Sequence, residues 1–221
     1  MPSVASPFGL KAKHHPSGII RPQRWVVPAS GLSVFPTNIY QDDAVYIDTN
    51  GALQVSGTAS AGQEACVGSF SGVEYADSTG RRTVSNQFNK SLVNTVAANS
   101  GLGGISDVWF WLYTDPDIIY EVQNNGTLTG ITAEGRALYY DQNAAAVNSV
   151  TGFSAGRSTT TAGSAASPTF LVYNLAYDNQ PTNAYASGTP TSINGNSWSD
   201  AYPNVLVRLA TPQFGGKLPA F

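Results

Sequence analysis

The chain's 221 residues suffice for one substantial domain, yet only 11% of them are charged, against roughly 25% in ordinary soluble domains. A formal net charge of −3 and a pI of about 5.2 argue against a nucleic-acid binder, which needs a basic face to neutralise phosphates. The lone Cys66 cannot form an intrachain disulfide, no apolar run reaches the roughly 18 residues of a membrane helix, and the first residues lack a signal-peptide core; synthesis in a reducing cytoplasm, with no membrane partner, is expected.

The first 36 residues hold six of the thirteen prolines, and residues 1–41 carry four bases and no acid. Each proline fixes φ and removes an amide donor, which excludes a helix and makes a regular central strand unfavourable. The segment is nevertheless rich in apolar side chains that are costly to leave in water. Residues 1–38 are therefore expected to form an extended arm lying across another surface, ahead of a β domain at 39–221. Its expected contacts are Phe8, Lys11, Lys13, Ile19, Arg21, Arg24 and Trp25.

From about residue 39 the pattern is β. IYQDDAVYIDTNGALQVSG has two extended runs around Asn50-Gly51, a dipeptide that favours hairpin turns, and DIIYEVQNNGTLTGIT repeats the arrangement around Asn125-Gly126. ACVGSFSGVEY, VWFWLYT, RALYYDQ, PTFLVYNLAY and NVLVRLATPQF supply further strands, and only SLVNTVAANSG (91–101) is a weak helix candidate. The fold class predicted is all-β, a compact antiparallel β-barrel or β-sandwich.

Few residues invite chemistry. Gly152-Phe-Ser154-Ala-Gly156 matches a nucleophile elbow, but the only histidines, His14 and His15, lie far upstream and no helical stripe follows, so a Ser/Gly-rich loop is expected. The His14-His15 pair has no Cys, Asp or Glu within 25 residues, so no metal site is expected there. Asp42-Asp43 project to opposite faces of an extended chain, and Asp115-Pro-Asp117 reads as a turn. No cofactor fingerprint is present. The most charged stretch, GVEYADSTGRR (72–82), reads as a hairpin whose Glu74 lies across from Arg82 or Thr83, with Glu74, Asp77, Arg81 and Arg82 serving as an ion pair or a subunit contact.

SPFGLKAKHHPSGIIRP, GVEYADSTGRR and YTDPDIIYEVQNNGTL together, in this order and followed by the closing NVLVRLATPQF, resemble the cement (decoration) proteins of tailed-bacteriophage capsids. The resemblance implies a small β protein without catalytic residues that trimerises on the outer capsid surface of the virion. Its expected partners are the phage major capsid protein and other copies of itself, with no nucleic acid and no cofactor. The aromatic run 108–113 and the stretch 178–200 depart from the pattern. A second reading is a virion tail, fibre or glycan-binding β module using Trp109, Trp111, Trp198 and the tyrosines.

Overall fold

The computed structural model describes residues 5–26, 38–48, 51–56, 66–76, 79–89, 108–128, 135–142, 151–160, 168–176, 196, 198–210 and 212. Those residues form strands and turns without a helix. The helix candidate at 91–101 lies outside them, as do Asp77 and most of 178–200.

Among the described residues, two six-stranded antiparallel sheets form the body of the fold. The first runs β1 (Lys11–His14), β10 (Ile119–Gln123), β14 (Asn204–Leu209), β13 (Phe170–Leu175), β11 (Ala137–Asp141) and β12 (Arg157–Thr159). The second runs β2 (Gln23–Val26), β9 (Trp109–Tyr113), β6 (Gly68–Ala76), β4 (Ala44–Ile47) and β5 (Leu53–Val55), with β7 (Arg82–Ser85) also pairing β6. β3 (Ile39–Tyr40) and β8 (Gln87–Phe88) form a separate two-stranded ribbon.

Alternation explains how the sheets face each other. In β9, Phe110 and Leu112 are buried while Trp109, Trp111 and Tyr113 are half-exposed; in β14, Val205, Val207 and Leu209 are buried between more exposed neighbours. A side-chain period of two sends one set inward from each sheet. The inward sets meet in a single hydrophobic cluster that includes Phe70, Val73, Phe110, Tyr120, Leu138 and Phe170. Phe88 packs edge-on against Phe110, ring centroids 5.0 Å apart. The expected all-β, sandwich-type architecture is observed.

The proline-broken N-terminal segment contributes a strand to one edge of each sheet. β1 pairs β10 and β2 pairs β9. Proline tolerates edges because a missing amide there leaves no ladder bond unmade. Leu10, just ahead of β1, is completely buried in the core.

The two Asn-Gly sites differ. β4 and β5 do form a hairpin, but its loop is closed by Asp48, whose amide donates to the Ala52 carbonyl and whose carboxylate accepts from the Ala52 amide, while Gly51 takes φ 78°. After Asn125-Gly126 the chain does not fold back on β10. Gly126 instead donates to Ala201 and Leu128 to Trp198, because β10 already has β1 and β14 as its partners. The second hairpin expected from sequence is thus replaced by pairing with a segment some 75 residues away.

Candidate contact surface

The charged hairpin exists, in a register that sequence alone misjudged. Glu74 lies directly across from Val84, and Arg82 from Ala76. Arg82 therefore reaches Glu74 along the diagonal, with Nη1 3.8 Å from Oε1. Long side chains bridge such diagonals readily.

Trp109 joins this hairpin to the N-terminal segment. It is the direct partner of Glu74 on β6 and of Val26 on β2, so all three share the outward face. Arg82 sits over its ring, Cζ 4.0 Å from the centroid, and Arg24 does so from the arm side at 4.5 Å. Both distances suit cation–π attraction. Two residue sets about 55 positions apart, each read separately as contacts, thus converge on one indole.

The same face leaves apolar side chains in water: Val84 is 74% exposed and Val26 41%. Single exposed valines are ordinary, but here they flank an aromatic ring capped by two guanidiniums. Tryptophan and arginine beside solvent-exposed apolar groups make up the mixture enriched in protein interfaces.

The other arm residues occupy different places. Phe8 is half-buried, and Lys11 lies opposite Glu121 at the β1 edge. Lys13 makes a 2.7 Å ion pair with the same Glu121. Trp25 packs against the core. Ile19, 55% exposed, and exposed Arg21 lie on the crossing between β1 and β2 and line a cleft with His15 and Asp115. Arg81 is exposed just ahead of β7. Arg24, Glu74 and Arg82 are brought together; Phe8, Lys11 and Lys13 are not part of that group.

The serine of the G-x-S-x-G match is sealed inside. Ser154 Oγ donates to the Asp43 carboxylate at 2.5 Å, and the Tyr140 hydroxyl donates to the same oxygen at 3.0 Å. The Tyr40 amide binds the other oxygen at 2.9 Å. Burial pushes Asp43 up to about 6, with the bonds from Ser154, Tyr40 and Tyr140 working against it. Neighbouring Asp42, at φ 68°, is pushed up to about 7, also by burial, with Lys11 opposing. Buried and without an imidazole in contact, Ser154 serves as a hydrogen-bond hub. The hub also holds the arm, since Gly9 donates to the Gly156 carbonyl and Leu10 to that of Asp42. A side chain at Gly156 would collide with the Tyr140 hydroxyl. Cys66 is buried, its thiol pushed up to about 12 by desolvation, which fits a small core residue.

What sequence reading missed is Trp109 as the element common to the arm and the hairpin. The available signal was the alternation of VWFWLYT, which puts Trp109 and Trp111 on one face and Phe110 on the other. Fold and surface together define an all-β sandwich with an arginine-capped tryptophan on one outer face. No protein-family model matches the chain, and no curated protein or solved structure is significantly similar to it.

Proposed function

We propose that the chain is a structural capsid cement protein. It binds the outer surface of an expanded phage head, bridges neighbouring major capsid protein subunits and self-associates, as a trimer, without a catalytic step. The observation that carries the reading is the outward face of the second sheet, where Arg24 and Arg82 cap Trp109 between exposed Val26 and Val84. The resemblance of the N-terminal segment, GVEYADSTGRR and YTDPDIIYEVQNNGTL to capsid cement proteins supports it. A binder that recognises only the expanded lattice stabilises that lattice by mass action against the pressure of packaged DNA. The half-exposed rings of Trp109, Trp111 and Tyr113 supply contact area at low conformational-entropy cost.

The glycan-binding alternative is weaker, because Trp109 is occupied by guanidiniums and Trp198 packs on the core. Removing residues 1–24 is an unsuitable test, since it would also delete core residue Leu10 and edge strand β1. Charge and shape should be changed on the surface alone. Co-sedimentation of the Val84→Asp and Arg24→Glu variants with expanded heads should show binding at least about tenfold weaker than wild type, roughly the loss of one good interface contact. Undiminished binding by both variants, with folding unchanged, would remove this face from the proposed contact.

A further inference from the structure

Two crossings between the sheets run side by side. β1 and β10 pair in the first sheet while β2 and β9 pair in the second. The β1–β2 link (15–22) therefore flanks the β9–β10 link (114–118). His15 stands on one link, and Asp115 and Asp117 on the other. Their donor atoms all lie within 4.8 Å of one another.

We propose that His15, Asp115 and Asp117 form a binding site for a divalent transition-metal ion, which staples the N-terminal crossing to the β9–β10 crossing. His15 offers Nε2, 3.3 Å from Asp115 Oδ2. Its Nδ1 lies 2.6 Å from Ser17 Oγ. The Ser17 amide donates to Nδ1 at 3.1 Å, so the free ring carries its proton on Nε2; metal binding would displace that proton and leave Nδ1 to donate to the Ser17 hydroxyl. Metal-bound histidines almost always have their second nitrogen held in this way.

A proton on Nε2 would explain the approach of Asp115 alone. The Asp117 amide donates to Asp115 Oδ1 at 2.9 Å, and the turn so closed brings a second carboxylate to the same point, where two negative groups repel unless a cation lies between them. Arg21, the nearby permanent cation in the cleft, makes no ion pair with either aspartate among the described residues. The cleft over the cluster, about 510 Å³ and lined also by Ser17 and Ile118, has room for the waters that would complete a coordination shell.

One imidazole and two carboxylates form a mixed nitrogen–oxygen set. It suits Zn²⁺ better than Ca²⁺, whose sites are built from oxygen. Ligands about 2.1 Å from zinc are roughly 3.4 Å apart in a tetrahedron, so the three atoms must draw in by about 1 Å. Exposed Asp117 can do this by rotation of its side chain.

The test uses the full chain, stripped with chelator and titrated with Zn²⁺ by calorimetry, with thermal unfolding in parallel. One saturable Zn²⁺ per chain and a raised Tm are expected, and excess Ca²⁺ should not compete. His15→Ala and Asp117→Asn should each weaken binding at least about tenfold, and Ser17→Ala by about tenfold through loss of the tautomer-setting partner. His14→Ala should leave binding intact. Circular dichroism of the metal-free variants, matching wild type, separates lost ligation from lost folding. Absence of saturable binding, equal binding by the folded His15 and Asp117 variants, or displacement by Ca²⁺ would overturn the assignment.

Discussion

The Arg24–Trp109–Arg82 face and the Asp43–Tyr140–Ser154 hub use similar side chains to opposite ends. Each joins the N-terminal segment to the body of the domain through aromatic and charged groups. On the outer face the charges remain near water, so Glu74 and Arg82 interact weakly and can exchange one partner for another. In the hub, Asp43 is fully buried, and each of its contacts replaces a bond that water would otherwise make. Burial, rather than residue type, separates a surface suited to binding from one that holds the chain together.

That contrast can be broken most severely at the hub. Asp43→Ala would leave the Ser154 and Tyr140 hydroxyls and the Tyr40 amide without their acceptor. A loss of about 3 kcal/mol in denaturant-unfolding free energy is expected, with little direct effect on the outer face.

The next effect is a pH dependence. Asp43 and Asp42 are raised in the folded protein to about 6 and about 7, from an ordinary value of 3.8. Between those values the native state holds protons that the unfolded chain has released. Stability contributed by these two groups is therefore greatest near pH 4 and below, declines as pH rises, and levels off above about 7. A tenfold difference in proton affinity between the folded and unfolded chain is worth about 1.4 kcal/mol, so a decline on the order of 2–3 kcal/mol is expected from Asp43 alone. The Asp43→Asn variant should flatten the curve below pH 6; a slope matching wild type would refute this account of the hub.

Trp109→Ala sharpens the comparison from the other side. It removes the ring shared by both arginines and should cost about 1–2 kcal/mol in thermal or urea unfolding. The smallest effect is expected from exchanging charges, Glu74→Arg with Arg82→Glu. Each single change should cost no more than about 1 kcal/mol, and the double variant should recover most of it if the pair acts within one molecule. If unfolding is unaffected by the single changes while self-association falls and the exchange restores it, the pair works across a subunit boundary.

Much of the sandwich was legible because alternation is a local property. VWFWLYT and NVLVRLA display it directly, and both became strands whose alternate residues are buried. Register was less legible: the diagonal approach of Arg82 to Glu74 depends on the length of the intervening turn. NNG after β10 misled, because a turn-forming dipeptide reports local backbone preference and not which strand has already taken the neighbouring edge.

By itself, the sequence determined an all-β chain with low charge, an apolar and proline-broken N-terminal segment, and a serine motif without a nearby base. Those properties follow from residue type and short-range spacing. Only the tertiary structure decided that Asp43 would be a buried acceptor, that Arg24 and Arg82 would meet on Trp109, and that His15 would face Asp115 and Asp117. Each of those meetings joins residues brought together by strand pairing across distances that no local periodicity encodes.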